Sequence, residues 1–149
     1  RMCLELLEST PLAGREVADV GCGSGILSAA AMLLGAARVT ASDIDPICSE
    51  SSAENAGRND VQFEVLTGKG FEPFPTDSTF DVVVSNIISS ALILLAPEAA
   101  QRTRTGGAWI VSGVIQENWA DVLAAAERVG FRLDLRMQEQ EWNAARFLR

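Results

Sequence analysis

The chain contains no histidine and no tyrosine, which removes the side chain most used as a general base near neutral pH and the commonest zinc ligand. Any chemistry it performs must proceed without imidazole or phenol, and no metal site is expected. Cysteine is scarce as well. Cys3, Cys22 and Cys48 are odd in number and lack the paired spacing of a zinc site or a disulfide framework, which suits a reducing, cytoplasmic setting. No uninterrupted apolar stretch reaches the length of a membrane span, and the charges are dispersed, so a soluble protein without membrane contact is expected. Twelve Lys and Arg stand against twenty Asp and Glu, a net charge of −8. With no local basic cluster, that balance disfavours binding to nucleic-acid phosphates and favours a cationic partner.

What is present is enough apolar material, 48% of 149 residues, to bury one substantial core, so a single domain spanning 1–149 is expected. Arg1 to Glu8 reads as a helix and not as a leader, which suggests a domain cut from something longer. Strands and helices then alternate. Glu16 to Val20 is a strand, followed by a helix with Ile26, Leu27, Ala30, Leu33 and Leu34 at helical spacing on one face. Arg38 to Ser42 is a second strand, ending at Asp43. Asp45 then caps a helix with Pro46 in its first turn, running to about Ala56. Val61 to Leu66 is a third strand, and a proline-bearing loop from Thr67 to Thr79 leads to the fourth, Phe80 to Ser85. A helix from Ser89 is expected to break at Pro97, with Gly106-Gly107 closing that segment before a fifth strand, Ala108 to Val114. Trp119, Val122, Leu123 and Ala126 form the inner face of the next helix. Phe131 to Arg136 alternates with period two, and the link to Glu141–Leu148 is too short for a helical crossover, so the last two strands form an antiparallel hairpin. The three tryptophans, Trp109, Trp119 and Trp142, read as packing residues.

The most informative segment is Asp19-Val20-Gly21-Cys22-Gly23-Ser24-Gly25, because its three glycines sit where the first strand must turn into a helix. Glycine there admits backbone angles closed to other residues and lets a ligand approach the chain, while N–H groups opening the helix attract an anionic group. A dinucleotide-binding loop would read G-x-G-x-x-G, which places Ile26 where its third glycine belongs. The spacing is instead G-x-G-x-G. Asp43, at the end of the second strand, stands where a carboxylate accepts hydrogen bonds from both hydroxyls of a ribose. Asn86 ends the fourth strand, on the edge of a parallel sheet where ligands gather.

A G-x-G-x-G loop two residues after an acidic one resembles the S-adenosylmethionine-dependent methyltransferases. That resemblance implies a Rossmann-like seven-stranded sheet, mostly parallel with an antiparallel C-terminal hairpin and helices on both faces. Within that group the chain resembles the bacterial PrmA family, whose members methylate large-subunit ribosomal protein L11. The segments that carry the likeness are Asp19–Ser28, Asp43-Ile44-Asp45-Pro46, Glu54-Asn55-Ala56, Val84-Ser85-Asn86-Ile87, Leu95-Ala96-Pro97-Glu98, Ser112-Gly113-Val114 and Glu141-Trp142.

The resemblance implies that the backbone of Gly21, Cys22, Gly23 and Gly25 approaches the methionyl part of S-adenosylmethionine and that Asp19 helps hold its amino group. It also implies that Ile44 lies against adenine and that the Thr67-Gly68 turn borders the ring. Asn86, which also touches the cofactor site, resembles the asparagine of amino-group methyltransferases, whose side-chain oxygen and a neighbouring carbonyl hold the target nitrogen. In this chain Ile87 and Ile88 replace the prolines of that motif, no aromatic follows, and no carboxylate stands at Thr67 or Gly68. The implied partner is a protein bearing free amino groups, lysine side chains or an N-terminal amine, most naturally a ribosomal protein. A separate N-terminal substrate-gripping domain and a threonine-bearing segment upstream, both features of the family, have no counterpart in these residues. Two other readings stay open at this level: a related methyltransferase acting on a small amine or another protein, and a cofactor-binding module without turnover.

Overall fold

The computed structural model describes all 149 residues. In chain order the elements are α1 (Met2–Glu8), β1 (Glu16–Val20), α2 (Ile26–Leu33), β2 (Arg38–Asp43), α3 (Ile47–Arg58), β3 (Glu64–Thr67) and β4 (Phe80–Asn86). They continue as α4 (Ser89–Arg102), β5 (Thr103–Ile115), a 3₁₀ turn (Gln116–Asn118), α5 (Trp119–Arg128), β6 (Arg132–Glu139) and β7 (Trp142–Leu148). The strands form one sheet in the order β3-β2-β1-β4-β5-β7-β6. The first five are parallel, and β7 runs antiparallel between β5 and β6. Gln140, at φ 55°, helps turn the tight connection of the β6–β7 hairpin.

The apolar runs of β1, β4 and β5 are buried because helices cover both faces of the parallel sheet. On one side α4, through Leu92, and α5 close over Phe71, Val83, Trp109 and Phe147. On the other, Leu6 and Leu7 of α1 and Leu27 of α2 close over Val17, Val39 and Ile110. Each such side chain contributes about 1.5 to 3 kcal/mol on full burial. The Trp109 and Phe131 rings lie 5.2 Å apart and those of Trp119 and Phe147 6.4 Å, which fastens the hairpin to α5. No helix is long and apolar enough to cross a membrane.

Several local expectations give way to tertiary constraints. The buried face of α2 is Leu27, Ser28, Ala29 and Ala31, whereas Ile26 and Leu33 are 57% and 62% exposed. A buried polar contact, described below, sets that rotation. Helix α4 runs unbroken through Pro97 to Arg102. Proline loses its own bond to the Ile93 carbonyl and its ring crowds that carbonyl, and burial of Leu92, Leu95, Ala96, Ala99 and Ala100 holds the helix on either side of it. Gly106-Gly107 does not close a helix but lies inside β5, in a bulge where Phe80 pairs with Thr103 and Val82 with Ala108. A Cβ at Gly107 would sit 2.5 Å from the Asp81 carbonyl oxygen, so only glycine fits that bulge. Helix α3 begins at Ile47, with Pro46 at its N-cap, and extends to Arg58; Asp45, one residue further out, accepts the Ile47 N–H at 3.0 Å. Strand β3 starts only at Glu64 and takes in Thr67. Trp109 and Trp119 are core residues, but Trp142 is 43% exposed.

Candidate functional site

The strand order reverses between β1 and β4, and the crevice beyond their carboxyl ends is where an open α/β sheet binds ligands. The glycine loop leaves β1 there, with Gly21, Gly23 and Gly25 at φ 82°, 53° and 74°. At Gly21 the need for glycine is steric as well, since a Cβ would lie 2.3 Å from Cγ2 of Ile87 at the end of β4. The loop donates mostly to the chain itself. Gly21 and Cys22 give their N–H groups to the Ser42 carbonyl at 2.8 and 3.0 Å, and Gly25 gives its own to the Cys22 carbonyl at 2.9 Å. Gly23 donates to Asp43 Oδ2 at 2.9 Å. These four groups are therefore engaged within the chain, which holds the loop's shape.

Two side chains of α3 hold the loop from behind. Ser52 donates to the Gly23 carbonyl at 3.2 Å, and Asn55 Nδ2 donates to the Ser24 carbonyl at 2.7 Å. The close approach of Ser52 requires glycine at position 25, where a Cβ would lie 2.7 Å from Ser52 Oγ. Cys22 is buried, its sulfur 3.9 Å from Ser52 Oγ. Burial pushes its thiol pKa up to about 12, which makes it a loop filler and no nucleophile.

Asp19 and Asp43 differ in setting. Asp19 is 1% exposed; its Oδ2 accepts the Ser28 hydroxyl at 2.6 Å, and its Oδ1 has no partner. Burial raises its pKa to about 6, with hydrogen bonding from Ser28 working in the opposite direction. Asp43 is half-buried, and each of its oxygens already accepts one backbone N–H, Oδ2 from Gly23 and Oδ1 from Asp45 at 3.0 Å. A carboxylate offers about four lone-pair positions, so two remain for a diol.

A cavity of about 680 Å³ opens at this edge. Gly21, Asp43, Ile44, Gly68 and Asn86 line it, as the sequence suggests. Asp19, Cys22, Gly23, Gly25 and Thr67 are not among the residues that line it. The border expected of Thr67 is formed by Gly68, Lys69 and Gly70, drawn in by the Ser42 hydroxyl, which donates to the Gly70 carbonyl at 2.7 Å. Sequence reading also missed the opposite wall, Ala91, Leu94, Leu95 and Glu98 of α4. Its signal was an apolar stripe on the helix broader than the core needs, with Leu94 left 76% exposed.

Asn86 is the solvent-facing end of β4, and its neighbour Ser85 is anchored in the core by the Trp109 indole N–H at 3.2 Å. Asn86 also lines a second cavity of about 370 Å³, walled by Ser112, Gly113, Glu139 and Trp142. It is the one residue that the two cavities share.

A model of the family described as ribosomal protein L11 methyltransferase (PrmA) matches residues 1–149. The chain belongs to the PrmA family. Ribosomal protein L11 methyltransferases of Desulforamulus reducens and Hahella chejuensis are 40% and 42% identical to it over 141 residues. Those matches cover 95% of the chain but 46% and 47% of the two relatives, so it spans about half their length. The crystal structure of a ribosomal protein L11 methylase from Lactobacillus delbrueckii subsp. bulgaricus is 30% identical, with a TM-score of 0.92, covering 99% of this chain and 77% of that one. The PrmA likeness thus extends over the whole sheet and both cavities, including the hairpin that closes the second.

Proposed function

We propose that residues 1–149 form the catalytic domain of an S-adenosylmethionine-dependent methyltransferase acting on amino groups of ribosomal protein L11, on lysine side chains or the N-terminal amine. The observation that carries this reading is the shared residue: Asn86 stands between a cavity bordered by Asp43 and the glycine loop and a second one open to a partner. The family membership and the names of the relatives agree with it.

The residues present fit the cofactor. Asp19 Oδ1 is a buried acceptor without a donor, suited to an ammonium group, and Asp43 has acceptor capacity left for the ribose hydroxyls. Ile44, 70% exposed at the cavity rim, and Leu94 give an apolar surface for the adenine ring. When bound, S-adenosylmethionine supplies a methyl group on a sulfonium, and its transfer to nitrogen is an in-line displacement. The protein's task is then to orient the amine. Asn86 Oδ1 and the Ile87 carbonyl accept the two N–H groups of a neutral amine and direct its lone pair at the methyl. Alignment of this kind is worth up to roughly 7 to 11 kcal/mol in well-oriented intramolecular reactions. With no imidazole or phenol in the chain, the ammonium proton leaves to water before transfer.

The test uses the full-length protein. Calorimetry with S-adenosylmethionine is expected to show binding, and mass spectrometry of ribosomal protein L11 after incubation is expected to show added methyl groups on nitrogen. Cofactor binding with methylation of other amines but not of L11 would reject the substrate and keep the reaction class.

A further inference from the structure

The reading of Asn86 as the amine-orienting residue leads to a second residue that nothing in the loop motifs singles out. Gly113 lies in β5 at φ 82°, in an irregular stretch where pairing with β7 shifts between Val111 and Val114. That stretch is held from below by Asn143, fully buried, whose Nδ2 donates to the Val114 carbonyl at 3.3 Å. Arg136 in turn donates to Asn143 Oδ1 at 2.9 and 2.7 Å and lies over the Trp119 ring, 4.4 Å from its centroid. The irregularity is thus a fixed part of the sheet.

Beside it in the sheet runs the end of β4, where Asn86 pairs with Ser112. A Cβ built on Gly113 would lie 3.1 Å from the Ile87 carbonyl oxygen and 3.2 Å from Asn86 Oδ1, and the next neighbour, at 3.7 Å, is the carbon of that same carbonyl. Both oxygens therefore pack against the Gly113 backbone, and the missing β-carbon is what lets them stand so close to it. Gly113 also lines the second cavity, which meets the cofactor cavity at Asn86.

We infer that Gly113 is a positioning residue for the transfer: its missing β-carbon sets where Asn86 Oδ1 and the Ile87 carbonyl, the two acceptors of the amine, stand, and any β-carbon there presses on both. A neutral primary amine has two N–H groups for two acceptors, so its lone pair is left facing the first cavity. This inference rests on the methyltransferase reading above, and its test separates the two.

Gly106 provides the control. It lies on the same strand with φ 79°, close to the 82° of Gly113, and a Cβ there meets nothing within 4 Å. Gly106→Ala and Gly113→Ala therefore impose similar left-handed strain, and only the second presses on the two acceptors. In the full-length protein, with ribosomal protein L11 as acceptor, both variants are expected to melt at similarly lowered temperatures and to bind S-adenosylmethionine as the parent does. Gly113→Ala is expected to lose about a hundredfold in kcat/KM and to bind L11 more weakly in the presence of S-adenosylhomocysteine; Gly106→Ala keeps both. Should Gly113→Ala fail to fold, Gly113→Asn carries the same β-carbon on a residue that tolerates positive φ, and the same losses are expected. Turnover of the Gly113 variants equal to that of Gly106→Ala, or loss of their cofactor affinity, overturns the positioning role alone. Absence of S-adenosylmethionine binding by the parent protein overturns the methyltransferase reading as well.

Discussion

Ser28 donates its hydroxyl to Oδ2 of Asp19 at 2.6 Å, and the other oxygen of that carboxylate, Oδ1, is buried with no partner. The contact links β1 to α2 beneath the glycine loop and decides which face of α2 turns inward. It also leaves the protein with a buried acid whose charge is only half-compensated, so its pKa rises from the ordinary 3.8 to about 6.

That shift makes stability depend on pH in a defined direction. Between about pH 4 and pH 6 the folded chain retains a proton on Asp19 that the unfolded chain has released, so stability falls as pH rises through this window. The full effect is on the order of 3 kcal/mol. Asp19→Asn is expected to raise the melting temperature at pH 7, flatten its change between pH 4 and 6, and weaken S-adenosylmethionine binding. Thermal melts over that range and calorimetry check it; an unchanged pH profile would show that the carboxylate ionises in the fold without penalty.

Asp43 acts on both the loop and the proposed ribose site. Asp43→Ala removes the acceptor of the Gly23 and Asp45 N–H groups along with the ribose contacts. Cofactor affinity is expected to fall by about 2 kcal/mol, the scale of a hydrogen bond to a charged group. Titration calorimetry decides the point, and undiminished affinity would place the ribose elsewhere.

Asn86→Ala separates positioning of the amine from binding of the cofactor. Cofactor affinity is expected to change little while turnover of bound cofactor drops by about a hundredfold. Equilibrium binding combined with single-turnover transfer distinguishes these. Lost affinity with intact turnover would make Asn86 a cofactor ligand only.

Asn55 supports the loop from outside the cavity, through the Ser24 carbonyl. Asn55→Ala is expected to weaken cofactor binding by about 1 kcal/mol, the worth of one neutral hydrogen bond, with kcat at saturating cofactor unchanged. A lowered kcat at saturation would place the α3 contact in the reacting geometry and not only in loop order.

Much of this was legible in contiguous residues. The alternation of period-two and helical spacing sufficed for the parallel sheet with its antiparallel end, and the G-x-G-x-G spacing together with Asp43 marked the edge where the first cavity opens. These signals survive in one dimension because turn geometry and strand patterning are set by neighbours along the chain. Other features had no such signature. Helix α4 persists through Pro97 because packing on the sheet outweighs one lost backbone bond. The buried face of α2 follows a hydroxyl–carboxylate contact and not the row of larger apolar residues, because an unmatched buried carboxylate costs more than an exposed Ile26 or Leu33.

The amino-acid sequence by itself determined the class of fold, the glycine loop and the carboxylate at the end of the second strand, since each depends on local backbone preference and short-range spacing. Tertiary structure alone brought Gly113 beside Asn86 and Ile87, joined two cavities at a single asparagine and left one oxygen of Asp19 without a donor. Those relationships join residues on different strands and helices, and only close packing of the sheet and its helices sets their distances.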